Sequence, residues 1–185
     1  NKKYLLIHYS AYHKKQKKYE RHNLIINGSL EVIIDKKETE NGEDNSFTIN
    51  NYLVDNEGSF YYLKKFSSSD TYLVSFDVNK NYEKWEEKIK LDDLKVNYSL
   101  SNITLDINEK NDVLISGTCD YLSEKALKYP GYVQGELRGS FFMRVDNYSK
   151  EFVVNKISFF SKEFLNSFRT EKQIKRDEQA YIPDN

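Results

Sequence analysis

An aromatic run opened by a glycine occurs twice, and nothing else in the chain restricts its fold as strongly. Gly58-Ser59-Phe60-Tyr61-Tyr62-Leu63-Lys64 leads across a polar turn to Tyr72-Leu73-Val74-Ser75-Phe76. Gly139-Ser140-Phe141-Phe142-Met143-Arg144-Val145 leads in the same way to Phe152-Val153-Val154-Asn155-Lys156-Ile157. Aromatic and β-branched residues suit a pleated, half-buried surface, and short polar segments between such runs mark hairpin turns. The pattern predicts one β-rich domain over residues 24–165, built from two similar halves at 24–91 and 94–165. What recurs is aromatic and aliphatic, with no repeated acid, base or nucleophile. It speaks to architecture and is silent on chemistry.

Periodicity fills in the rest. Strands are predicted over 24–34, 47–54, 59–66, 71–79, 94–98, 103–107, 113–121, 132–145 and 151–160, with Asn27-Gly28 placing a bulge or tight turn inside the first. Residues 35–46 are polar and acidic and read as an exposed loop. In 81–91, Tyr82, Trp85 and Ile89 recur at helical intervals among Glu and Lys, predicting a short surface helix. Residues 122–129 read as a helical turn stopped by Pro130. At the N-terminus, Tyr4, Ile7, His8, Ala11, Tyr12 and Tyr19 fall near helical spacing, so 1–23 is expected as a helix or juxtamembrane stalk. Phe164, Leu165, Phe168 and Ile174 predict a C-terminal helix, with 166–185 as its continuation and tail. About nine or ten strands with few helices predict a mainly β fold, an antiparallel barrel or a sandwich; closure into a barrel would remove free edges.

The 185 residues are 31% charged and only 38% apolar, so a few large rings must supply much of the core, and 15 Tyr and 11 Phe are available. Tyr61, Tyr62, Tyr72, Phe141, Phe142 and Phe152 are the candidates for facing a core or a ligand. A small barrel can fill with such side chains or hold one apolar molecule. Charge is unevenly spread: residues 1–23 carry seven basic residues against Glu20 alone, while the remainder carries 21 basic and 28 acidic. Lys14, Lys15, Lys17, Lys18 and Arg21 form a basic cluster of the kind found beside membranes.

Catalytic equipment is sparse. His8, His13 and His22 all lie in the N-terminal arm, at spacings that do not match a helical metal pair, so solvated or capping roles are expected. No histidine belongs to the 24–165 body, which excludes a Ser-His-Asp or Cys-His site there unless the arm folds back. Cys119 is the sole cysteine; it cannot pair within the chain and is expected as a small apolar filler. The acids of 35–44 lack the alternating ligands of a calcium loop. Gly131, Gly135 and Gly139, four residues apart, lack the Gly-Lys-Ser/Thr of a phosphate loop and are expected at bends or under close packing. No catalytic residue, metal or cofactor is predicted, and an acidic body without interleaved Arg and Lys disfavours nucleic acid.

The strand pattern Asn27-Gly28-Ser29-Leu30-Glu31-Val32-Ile33-Ile34, then Gly58, Phe60-Tyr61-Tyr62-Leu63-Lys64-Lys65-Phe66 and Tyr72-Leu73-Val74-Ser75-Phe76, resembles the FidL-like family. It covers roughly residues 24–85, and residues 102–165 echo it more loosely. The family comprises small membrane-anchored bacterial proteins associated with ToxR-like regulators, whose related partners form lipocalin-like periplasmic barrels receiving amphiphiles. An arginine that often introduces the family's aromatic strand is missing near Phe60, with Arg138 at the comparable place in the second half. The resemblance implies a non-enzymatic extracytoplasmic binding or regulatory module, held to the membrane by an anchor outside this chain. Its partner would be a membrane protein, or an apolar or amphiphilic small molecule. The alternative is an assembly component of a secretion or conjugation machine.

Overall fold

The computed structural model describes residues 3–41, 47–66, 70–91, 98–121, 136–168, 170–172 and 174. They form a mainly β chain with little helix, arranged as three antiparallel sheets, each a meander of consecutive strands. The first sheet holds β1 (Tyr4–His13), β2 (Lys18–Asn27) and β3 (Val32–Asn41). The second holds β4 (Phe47–Val54), β5 (Phe60–Phe66), β6 (Thr71–Asp77) and β7 (Glu83–Lys88). The third holds β8 (Tyr98–Ile107), β9 (Val113–Tyr121), β10 (Glu136–Val145) and β11 (Phe152–Phe159). A five-residue helix, α1 (Lys162–Asn166), follows, its first turn capped by the Ser161 hydroxyl. Among the described strands no sheet closes on itself, so the barrel alternative does not hold.

The second sheet is buried on both faces. Phe60, Tyr62, Val74 and Phe76 point towards the first sheet and pack with Ile25 and Tyr82, joined by Tyr4, Leu6 and Ile34. Tyr61, Leu63 and Leu73 point the other way, into a core shared with Leu100, Val113, Ile115, Cys119, Phe141, Met143 and Val145 of the third sheet. Successive side chains of a strand face opposite ways, so a strand covered on one side alternates apolar and polar. β5 and β6 do not alternate, because both sides are covered. β10 does: Phe141, Met143 and Val145 are buried while Phe142 is exposed.

This difference corrects the expected equivalence of the two glycine-led hairpins. β5–β6 supply the middle two strands of their sheet; β10–β11 supply the third strand and an edge. The glycines differ too. Gly58 sits in the β4–β5 turn at φ +102°, whereas Gly139 lies within β10. A Cβ on Gly139 would stand 2.5 Å from the Ser158 carbonyl and 3.0 Å from Cys119 Sγ, so close packing, as expected there, demands glycine. Gly131 and Gly135 lie outside the described residues.

Three further expectations need correction. Residues 4–13 and 18–27 are strands rather than a helix or stalk: Tyr4, Leu6 and His8 alternate inward with period two, and pairing with β2 overrides the helical spacing read from the sequence. Residues 83–88 are an edge strand after a 3₁₀ turn at Val78–Lys80, with Trp85 packed against the core on one side and Lys84 and Glu86 on the other, where Lys84 reaches Glu38 of β3. The acidic segment from 35 to 41 belongs to β3, paired along β2. Asn27-Gly28 makes a turn. The Asn27 Oδ1 accepts from the Ser29 and Glu31 N–H groups at 2.9 and 3.0 Å, with Leu30 at φ +63°. Asn108 repeats that geometry through Lys110 and Asp112, with Asn111 at φ +64°. The expected helical turn at 122–129 and the chain beyond 174 lie outside the described residues; among those described near the C-terminus, α1 and residues 171, 172 and 174 are helical.

Candidate binding surface

Two polar networks fasten the layers, and both draw on side chains from distant parts of the chain. Between the first and second sheets, Asn23, buried in β2, presents its Oδ1 to His8 Nδ1 at 2.9 Å and donates from Nδ2 to Glu38 Oε2 at 3.4 Å. The carboxylate fixes the amide orientation, and the amide oxygen then requires a proton on His8 Nδ1. His8 Nε2 is left as the acceptor for the Tyr52 hydroxyl at 2.8 Å, and the rings stack at 4.3 Å. Glu38 also accepts from the Tyr62 hydroxyl at 3.0 Å and pairs with Lys84 at 3.1 Å. Burial works against the Lys84 charge, yet Glu38 and Glu86 outweigh it and raise its pKa. Both His8 nitrogens are engaged, so this histidine fastens a layer and has no lone pair to offer a substrate.

Between the second and third sheets, four turns knot together. Tyr61, fully buried, lends its single hydroxyl proton to Asn147 Oδ1 at 2.9 Å and Asp55 Oδ2 at 3.2 Å. Asn147 Oδ1 also accepts from Lys150 Nζ at 3.0 Å, and Lys150 reaches Asp77 at 3.4 Å. Asn111 links Asn56 and Glu57 across the gap. Burial pushes the Asp55 carboxyl up from its usual range, against the three backbone N–H groups it accepts, and raises the Tyr61 phenol. Nearby, the bulges of β4 and β8 meet: Asn51 and Asn102 both take φ near +50°, and the Asn51 amide donates to the Ile103 carbonyl at 2.5 Å.

The candidates for a core or ligand thus separate. Tyr61, Tyr62 and Phe141 are buried packing residues. Tyr72 and Phe152 are half-buried, Tyr72 edge-on to Phe66 at 5.4 Å; Phe142 is exposed. The basic cluster separates likewise. Lys14, Lys15 and Lys17 form the exposed β1–β2 turn and Lys18 follows, but Arg21 is half-buried with its guanidinium 4.8 Å over the Phe47 ring. Cys119 is fully buried and its thiol is pushed up to about 11, chiefly by burial and then by Asp120. Among the described residues no three His, Cys, Asp or Glu side chains converge to hold a metal ion.

What the first sheet leaves outside was missed in the sequence, because a helical reading of 3–22 scatters it. Register places Leu5 beside Ile26, Ile26 beside Val32, and Ile7 beside Leu24, all on the face turned away from the second sheet. Leu5 is 55%, Ile7 40% and Val32 56% exposed, with Leu30 and Ile33 exposed at the margin. These apolar side chains are exposed side by side on one face rather than scattered singly. Further along the same face His22 lies between Glu20 at 2.8 Å and Asp35 at 2.9 Å, stacked on Tyr9 at 4.6 Å. Lys37, then His22, hold the Glu20 carboxyl down at about 2, and Glu20, then Asp35, raise the His22 imidazole. Compared with protein-family models, curated proteins and solved structures, the chain matches none.

Proposed function

We propose that the chain is a non-enzymatic binding module of a bacterial membrane-tethered protein, working outside the cytoplasm, with a three-layer sandwich body that presents the outer face of its first sheet to a partner protein. The exposed run of Leu5, Ile7 and Val32 carries this reading. Apolar side chains side by side on a sheet, with the Glu20, His22, Asp35 and Lys37 cluster towards one end, suit a protein surface. Both interior cores are occupied by the chain's own side chains, which favours a protein partner over an enclosed amphiphile. The location and the regulatory setting are carried over from the resemblance of the strand pattern to FidL-like proteins; no described helix is long and apolar enough to cross a membrane.

The test is photocrosslinking in the native host from an aryl-azide or benzophenone residue at position 32, with exposed position 109 as control. A single discrete adduct from 32 and none from 109 is expected. Equal adducts from both positions, or none, would defeat the reading, as would protease protection showing the chain inside the cytoplasm.

A further inference from the structure

We infer that the free edge of β1 is a strand-acceptor site, taking an extended segment of another protein that is uncharged in its middle and acidic at both ends. The inference rests on the binding-module reading and specifies its partner.

Three open sheets leave six edges: β1, β3, β4, β7, β8 and β11. Proteins defend such edges with charges, bulges or covering segments, because unpaired N–H and C=O groups recruit other strands. β3 carries Asp35, Lys36, Lys37 and Glu38, and β7 is almost wholly charged. β4 and β8 are broken by their bulges at Asn50/Leu53 and Ser101/Thr104. β11 has Lys156 at its centre, and its Asn155 amide is tied to the Lys90 carbonyl at 3.1 Å. β1 has none of these defences. Its ten residues include no acid, lysine, arginine or proline, and it runs in unbroken register along β2. Among the described residues no strand hydrogen-bonds to its other side. β4 approaches β1 through the His8–Tyr52 stack, on the face turned towards the second sheet.

The flanks choose the occupant. Lys3 precedes the strand, and Lys14, Lys15, Lys17 and Lys18 follow it, all exposed. A second copy pairing antiparallel about the strand centre would set Lys3 against Lys14; a parallel copy would set each lysine beside itself. Like charges placed opposite one another across a ladder destabilise it. An incoming segment with carboxylates at both ends meets lysines at both ends instead, and its alternate side chains extend the face of Leu5 and Ile7. Main-chain bonding gives the affinity and the flanks give the selectivity, as in other strand-addition complexes.

The experiment uses the whole chain and two synthetic peptides with the same alternating threonine–valine core, one ending in glutamates and the other in lysines. Fluorescence anisotropy gives affinity, and amide hydrogen exchange locates the contact. The glutamate peptide is expected to bind about tenfold or more tighter at low salt, the advantage shrinking as salt screens the flanks. Amides of Tyr4–His13 should gain protection. The double variant Lys14→Glu/Lys15→Glu, altered only in an exposed turn, should reverse or erase the preference. Failure of the glutamate peptide to protect β1, a preference undiminished in the double variant, or self-association with β1 protected would each overturn the inference. If the edge fails while the adduct from position 32 persists, only the strand-acceptor site is refuted; loss of both removes the binding reading as well.

Discussion

Alanine scanning along β5 should show no alternation. In a strand covered on one side, every second substitution is cheap. In β5, Phe60, Tyr61, Tyr62 and Leu63 are each at most 1% exposed, so all four should be costly. Truncating a buried phenylalanine, tyrosine or leucine loses its transfer free energy and leaves a cavity, about 3–5 kcal/mol for the rings and 2–5 for leucine. For a chain of this length that corresponds to a fall in melting temperature of about 4–20 °C per substitution. β10 provides the internal control. Phe141→Ala and Met143→Ala should cost similar amounts, whereas Phe142→Ala, at a 40% exposed position, should cost less than about 1 kcal/mol. Urea unfolding followed by tyrosine fluorescence and circular dichroism gives the midpoints, and coincidence of the two probes checks that the sheets unfold together. A high–low–high–low series in β5, matching that in β10, would refute the burial of both faces of the second sheet.

Other consequences are sharper in sign than in size. Tyr61→Phe removes the hydroxyl shared by Asn147 and Asp55 and should cost about 1–3 kcal/mol in urea unfolding, because buried partners lose a donor. Thr71→Val should raise stability by about 1 kcal/mol in a thermal melt, since the buried Thr71 Oγ1 has no hydrogen-bond partner. The Glu20–His22 cluster sets a pH window. Glu20 is depressed to about 2, so its contribution is complete above the unfolded value near 4.5 and is lost as pH falls through about 2. His22 is raised above 6.5, so its contribution is complete below 6.5 and is lost as pH rises through its folded pKa. The cluster therefore contributes most between about pH 4.5 and 6.5. NMR titration should place the His22 midpoint above 6.5, and Glu20→Gln should lower it.

The parts of the fold legible in the sequence are those where local pattern and tertiary burial agree. The runs at 47–54 and 113–121 coincide with β4 and β9, and 59–66, 71–79 and 151–160 differ from β5, β6 and β11 only at their ends. Elsewhere the deciding information was not local. Leu5, Leu6 and Ile7 are apolar in succession and show no alternation, and only pairing with Ile26, Ile25 and Leu24 makes them a strand. Glu83–Lys88 looks like a charged helix because this edge strand carries a single apolar side chain, Trp85, and its Lys84 is paired with Glu38 on a distant strand. Continuous burial in Phe60–Leu63 was visible as an uninterrupted aromatic run, but so was Phe141–Phe142; whether the second ring is buried depends on a layer that sequence alone does not reveal. The polar networks were less legible still. His8, Asn23, Glu38, Tyr52 and Tyr62 come from five strands, and nothing in their spacing announces that they meet.

The most direct measurement is a set of NMR nuclear Overhauser contacts read from both faces of one strand. Ile25 methyl protons should show contacts to the side of the second sheet formed by Phe60, Tyr62, Val74 and Phe76, while Val113 and Ile115 methyls show contacts to the side formed by Tyr61, Leu63 and Leu73. Cross-layer contacts confined to one of those two sets would mean that a face of β5 lies open to water, and the stacking of three sheets would be wrong.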